Sequence, residues 1–357
     1  MKKIGVVLII ALLSMLFLLT ACQSGTADNG DAGAATASEN QDATATDGTL
    51  QSLIDPNDEY IVVNCINNLE YWNAMKWSWK EAGKSFGVKT GFVGPMDGDL
   101  NAMISAFDSA VAKQPAGICV FGFDPGLAPS IKKAVASGVN VVTYNGDVAD
   151  SDRLTFIGSS QYDLGYEGGK LYAQTIGGKG SVAILTLPGN PMFEERQKGF
   201  EDAFALFPDI EIVAYGDTKA DTVTATSAAK DIIAKYPNLT GFVCADSTGA
   251  IGASTAVSEA NKKGEIGVVG MDRNSDVLSM IKDGTITASI VQNDVSMGWW
   301  SMLALITAKY NPMPLTSDNE AAGVKLSPTN IYTSVNLVTA DTADYYIRQN
   351  EVYATVN

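Results

Sequence analysis

Residues Tyr60–Trp72 read YIVVNCINNLEYW. The first half is apolar and mostly β-branched: Ile61, Val62, Val63, Cys65 and Ile66 run almost without a break. That is the pattern of a strand buried on both faces, as in a parallel sheet covered by helices. The Asn67-Asn68 pair then offers a helix N-cap. Tyr71 and Trp72 follow just past the strand's carboxyl end, the edge at which open α/β sheets bind ligands. Two aromatics there suit a flat, partly apolar partner such as the face of a sugar. A second reading of Trp72 is packing, because Trp72, Met75, Trp79, Ala82 and Phe86 fall on one helical stripe. Tyr71 lies off that stripe.

Outward from this stretch, strand and helix patterns alternate. Strand runs are expected at Val88–Val93, Gly117–Phe121, Val139–Tyr144, Leu154–Ile157, Ser181–Leu185, Ile210–Tyr215, Gly241–Ala245, Ile266–Gly270 and Thr287–Val291. Amphipathic helices are expected between them, with Thr222–Lys235 and a last one at Val295–Lys309 among the clearest. This order implies an α/β fold of parallel sheets with right-handed crossovers. The strands are too many for one ordinary sheet, so two similar lobes are expected.

The chain of 357 residues is 46% hydrophobic and carries a formal charge of −16. So acidic a chain is not suited to nucleic acid or an anionic membrane surface. It has no histidine, which removes Ser-His-Asp and Cys-His catalysis and His-ligated zinc. Of its cysteines, Cys65, Cys119 and Cys244 sit in apolar strand runs and read as buried thiols, although a Cys65–Cys119 bridge is open. No cofactor and no metal site is expected.

Met1–Ala21 reads as a leader, with Lys2 and Lys3 before an apolar run, and Leu19-Thr20-Ala21-Cys22 resembles a bacterial lipobox. The resemblance implies lipidation at Cys22 and an extracytoplasmic location at the cell membrane; an uncleaved membrane anchor is the other reading. Residues 22–57 are mostly small and polar and read as a flexible tether.

Polar residues follow strand after strand: Asn145 and Asp147, Asn190 with Glu194 and Arg196, Asp246 and Ser247, Asp272 and Arg273, then Gln292, Asn293 and Asp294. Singly, each is a turn former or helix cap. Together they line the carboxyl edge of the sheets and suit a polyol, since amides and carboxylates accept and donate in fixed geometry and Arg offers a planar fork. Two look-alikes fail. Gly177-Gly178-Lys179-Gly180-Ser181 has the wrong order for a phosphate loop and precedes a strand. No pair of carboxylates has a spacing that singles it out for glycoside hydrolysis.

On these residues the chain strongly resembles the ribose-binding type of periplasmic sugar-binding proteins of ABC importers, the type I periplasmic binding proteins. Ile66–Trp72 resembles the family's opening motif, and Val142–Asp147 the segment that carries an acidic ligand, with Asn145 at that position and Gly146 where relatives have arginine. Arg196-Gln197-Lys198-Gly199-Phe200 resembles an R-x-x-G-F helix; whether Arg196 or the position of Glu194 reaches the sugar stays open. Phe242–Ser247, Val268–Asp272 and Ala288–Gln292 resemble segments that place Asp246, Asp272 and Gln292 on the sugar. Met271 stands where relatives have an aromatic.

The resemblance implies two Rossmann-like lobes joined by three hinge crossings, near Gly146–Thr155, Gln292–Asp294 and Lys325–Pro328. The lobes would be 58–150 with 294–326, and 151–293 with 327–357. It implies Asn68, Tyr71, Trp72, Asn145, Asp147, Asn190, Arg196, Asp246, Asp272 and Gln292 as ligand contacts. The function implied is a monomeric, non-enzymatic binding protein that closes on a neutral monosaccharide and delivers it to a membrane permease. Two rivals stay open: a sensor presenting a sugar, polyol, nucleoside or furanose signal to a receptor, and a carboxylate glycosidase.

Overall fold

The computed structural model describes residues 50–311, 315–319, 321–325 and 327–356. Cys22, the leader and most of the tether lie outside the described residues. The tether ends earlier than expected: helix α1 (Leu50–Leu53) is already formed. Ile54 is buried in the first core, Gln51 Nε2 donates to Phe86 O at 2.9 Å, and Tyr310 Oη accepts from Asp55 N at 2.7 Å. Leu50 and Ile54 supply the apolar contacts that a purely polar tether lacks.

The strands are β1 (Glu59–Val63), β2 (Lys89–Val93), β3 (Gly117–Phe121), β4 (Val141–Tyr144), β5 (Phe156–Gly158), β6 (Lys179–Thr186), β7 (Asp209–Asp217), β8 (Leu239–Cys244), β9 (Gly267–Met271), β10 (Ala288–Gln292), β11 (Asn330–Tyr332) and β12 (Val335–Val338). The remaining helices are α2 (Asn73–Phe86), α3 (Leu100–Ala112), α4 (Ala128–Ala136), α5 (Gln161–Thr175), α6 (Pro191–Phe204), α7 (Thr222–Lys235), α8 (Ser247–Glu259), α9 (Ser275–Lys282), α10 (Asp294–Tyr310) and α11 (Ala343–Tyr353).

They form two six-stranded sheets, ordered β11-β5-β4-β3-β1-β2 and β12-β10-β9-β8-β6-β7. The first is parallel throughout; in the second, β12 runs antiparallel to β10. Strands β3 and β4 are buried along their whole length, which is why they read as continuous apolar runs. Helix α2 stops at Gly87, whose φ of +72° closes a left-handed cap on the Gly83 and Lys84 carbonyls.

Three crossings join the lobes, and two of them differ from the expected positions. Strand β5 pairs with β4 and β11, so the chain stays in the first sheet to Gly158 before crossing. The second crossing follows Gln292 as expected: α10 returns to pack on α2, where Gly298 lets Ser78 Oγ donate to Val295 O at 2.5 Å. The third lies between β11 and β12, after Tyr332 rather than near Lys325–Pro328. β11, β12 and α11 had no counterpart in the sequence reading. Helix α11 packs on α9 of the second lobe and α2 of the first. Cys65, Cys119 and Cys244 are buried free thiols, and burial pushes the Cys65 and Cys119 thiols up to about 12.

Candidate functional site

Carboxyl ends of the strands from both sheets converge between the lobes. From the first lobe, β1 leads through the turn at Asn67-Asn68 into a single 3₁₀ turn, Glu70–Trp72. Neither asparagine caps it. Leu69 holds the N-cap position without a side-chain bond, and Asn67 instead ties the turn to the next strand, donating from Nδ2 to Gly94 O at 3.1 Å. Asn68 is exposed. The adjacent aromatics part ways. Trp72 is buried in the first core against Phe121 and Tyr144, so its packing reading holds and its ring is not offered to a ligand. Tyr71 turns into the cleft.

The Tyr71 hydroxyl is a meeting point of the lobes. It accepts from Asn145 Nδ2 at 2.6 Å and from Gln292 Nε2 at 3.1 Å. Asn145 is buried at the end of β4 with φ of +62°, a left-handed conformation that asparagine tolerates better than most residues. Its carbonyl accepts from Gln161 Nε2 at 2.8 Å. Gln161 opens α5 just past the first crossing, and its Oε1 accepts from Arg196 Nε at 2.7 Å. The series Tyr71–Asn145–Gln161–Arg196 thus runs from one lobe into the other. Gln161 was not singled out from sequence, because its place beside Asn145 depends on where β5 ends and the chain crosses.

Arg196, not Glu194, is the inward residue of α6. Arg196 is buried, its Nη1 donates to Ala245 O at 2.6 Å, and the guanidinium lies 5.2 Å from the Phe193 ring centre. Glu194 is exposed and accepts from Gly189 N at 3.1 Å. Burial lowers the Arg196 pKa, while the nearby Asp272, Tyr71 and Asp246 act to raise it.

Asp246 and Asn190 are both helix caps. Asp246 Oδ1 caps α8 through Gly249 N at 2.6 Å, and its Oδ2 accepts from Thr248 and Thr218 at 2.9 and 3.3 Å. It is nevertheless close enough to Arg196 and Asp272 to act on both electrostatically. Asn190 Oδ1 caps α6 through Met192 N at 3.0 Å.

Asp272 is half-buried with φ of +71°, held by its amide on Ile290 O at 2.9 Å and by Ser289 Oγ on its carbonyl at 2.6 Å. This fixed backbone aims the carboxyl into the cluster. Burial pushes its pKa up to about 6 against the opposing pull of Arg196, with Asp246 and Asp294 adding to the rise. Beside it, buried Asp294 pairs with Arg273 at 3.5 Å. Gln292 is buried, and its Oε1 has no partner among the described residues.

Asp147 is committed elsewhere. Arg153 binds both of its oxygens at 2.5 Å and also donates to Thr329 O at 2.9 Å, while Thr143 Oγ1 donates to Asp147 at 2.7 Å. The carboxylate expected to receive a sugar hydroxyl is therefore already satisfied within its own lobe. It borders a cavity of ≈190 Å³ beside the central cluster, together with Asn190 and Gln161. Among the described residues no group of His, Cys, Asp or Glu is arranged to hold a metal ion.

The geometry is that of a polar cleft between two α/β lobes. Residues 60–309 match the periplasmic binding protein domain family.

The chain belongs to the periplasmic binding protein family.

This binding protein is 27% identical over 263 residues to the D-allose-binding periplasmic protein of Escherichia coli (strain K12), covering 70% of this chain and 84% of that one. It is 26% identical over 198 residues to the xylitol-binding protein of Mycolicibacterium smegmatis (strain ATCC 700084 / mc(2)155), covering 55% and 56%. Among solved structures it resembles AraP, an arabinose binding protein from Geobacillus stearothermophilus, with a TM-score of 0.76 at 28% identity over 82% of this chain and 99% of that one. The paired sheets and the three crossings are thus those of a type I periplasmic binding protein. The relatives carry the names of binding proteins, not of enzymes.

Proposed function

We propose that this protein is the substrate-binding component of a sugar ABC importer, capturing a sugar between its lobes. The observation that carries the reading is the cluster of Arg196, Asp246, Asp272 and Gln292 on the second lobe, facing Tyr71 and Asn145 on the first. Its carboxylates, amides and guanidinium match the donors and acceptors of a polyol. The names of the relatives, binding D-allose, xylitol and arabinose, point to the same ligand class. Closure must draw its free energy from contacts made only in the closed form, and the Tyr71–Gln292 bond joins the two lobes in this structure. The protein performs no reaction in this reading: it delivers the bound sugar to a membrane permease, held at the membrane by a lipid on Cys22.

Thermal unfolding with a panel of monosaccharides, polyols, nucleosides and amino acids tests this. Ligand at about 1,000 times its dissociation constant adds about 4 kcal/mol. At about 2–4 °C per kcal/mol this is a shift of several degrees or more. A shift with sugars supports the reading; a shift confined to nucleosides or amino acids overturns the ligand class.

A further inference from the structure

Beside the central cluster, whose Asn145, Arg196 and Gln292 are buried, lies a space between the lobes. This ≈190 Å³ cavity is bounded by Phe123 after β3, Tyr332 of β11, and Asn190, Met192 and Glu195 at the start of α6. Gln161 links the two: it lines the cavity and bonds Arg196 and Asn145 of the cluster. We propose that the cavity is a second subsite, and that the ligand is a glycoside, with one ring in the central cluster and a second sugar ring in this cavity. This deepens the sugar-binding reading and rests on it.

The size, walls and unused polar groups of the cavity support the assignment. At ≈190 Å³ it is smaller than the roughly 300–1,000 Å³ of a pocket for a whole ligand, and so suits one part of a ligand. On one side its wall is backbone: Gly122 and Gly146 meet so closely that a Cβ on either falls 2.2–2.4 Å from the carbonyl oxygen of the other. Phe123 and Tyr332 add aromatic surface, and Tyr332 is 62% exposed although it sits on a hinge strand. An aromatic ring with a polar tip, left uncovered beside a polar cleft, suits the C–H face of a sugar.

The polar groups divide sharply. Asp147 is consumed by Arg153 and Thr143. Glu195 is exposed at the cavity and has no hydrogen bond or ion pair among the described residues, so both of its oxygens can accept from hydroxyls. Asn190 spends Oδ1 on capping α6, which leaves Nδ2 as a donor. An acceptor pair and a donor beside an aromatic wall match a second hydroxylated ring.

Calorimetric titration of the purified protein with monosaccharides, and with disaccharides that contain them, tests the proposal. A disaccharide is expected to bind at least tenfold more tightly than its component monosaccharide. That gain should vanish in Met192→Trp, which fills the cavity from the α6 side, and fall severalfold in Glu195→Gln; circular dichroism verifies that both variants fold. A monosaccharide that binds as tightly as every disaccharide containing it overturns the second subsite and leaves the sugar-binding reading standing. A gain that persists in both variants also overturns it, by placing the second ring elsewhere. Binding of no carbohydrate at all overturns the sugar-binding reading and this inference with it.

Discussion

Glu70 of the first lobe caps a helix of the second: its Oε1 accepts from Ser275 Oγ at 2.6 Å and its Oε2 from Ser275 N at 3.2 Å, at the start of α9. The N-cap residue of α9, Asn274, makes no side-chain cap bond of its own. A carboxylate brought across the cleft thus completes a helix terminus, where negative charge is favoured. The pairing exists only when the lobes are together.

Glu70→Ala is therefore expected to loosen the closed form. The contact is solvent-exposed, so its loss should cost about 1 kcal/mol, roughly a fivefold weakening of ligand affinity. The change should lie in the dissociation rate, read by stopped-flow fluorescence. Ser275→Ala should produce a similar change, and the double variant little more than either alone. Additive effects of the two substitutions would show that they do not act through one contact.

Asp272→Asn keeps a residue type that tolerates the left-handed backbone and removes the charge. It should weaken sugar binding by about 1.5–3 kcal/mol, as for loss of a charged hydrogen-bond partner. Calorimetry of the variant checks this, and unchanged affinity removes Asp272 from the site.

The raised pKa of Asp272, about 6, gives a pH signature. Hydroxyl donors bind the ionised form, so affinity should fall as pH drops below about 6, and this dependence should be absent in Asp272→Asn. Stability of the ligand-free protein should run the other way. An unfolded Asp titrates near about 3.9. Between about pH 4 and 6 the native state therefore binds the extra proton, and stability falls as pH rises through that window by roughly 2–3 kcal/mol at most. The contribution is fully present below about pH 4. The difference in denaturation midpoint between wild type and Asp272→Asn, followed across pH 4–7, isolates this group from the other carboxylates.

Arg196→Met should be costly. The substitution leaves Gln161 Oε1 and the Ala245 carbonyl without their donor and Asp272 without its nearby cation. Breaking a buried charge network in this way costs about 3–5 kcal/mol. A fall in melting temperature of roughly 10 °C is expected, measured by differential scanning calorimetry. A change under about 2 °C would show that the network contributes little to stability.

Most of the fold was legible because its cues are local. The run Gly117–Phe121 and the helix Thr222–Lys235 appear in the structure with the bounds read from sequence. The strands that escaped notice, Asn330–Tyr332 and Val335–Val338, are short, and most of their residues are half-buried or exposed. They are strands because neighbours in the sheets pair with them, not because of their own apolar pattern. For the site, Asp246 and Asn190 were visible as strand-end polar residues, yet the same position made them helix caps. Trp72 and Tyr71 are adjacent and alike in composition, but one is core and the other lies in the cleft.

By itself the sequence determined the alternation of strand and helix, the two-lobed α/β class, the exclusion of histidine chemistry, and the polar residues that follow the strands. These follow from burial periodicity and capping, which involve residues a few positions apart. Only the tertiary structure decided that β5 belongs to the first lobe, that Arg153 consumes Asp147, that Gln161 joins Asn145 to Arg196, and that Glu70 completes a helix on the opposite lobe. Each of these depends on groups brought together by the path of the chain through three crossings, and no local pattern encodes which polar atom will find its partner first.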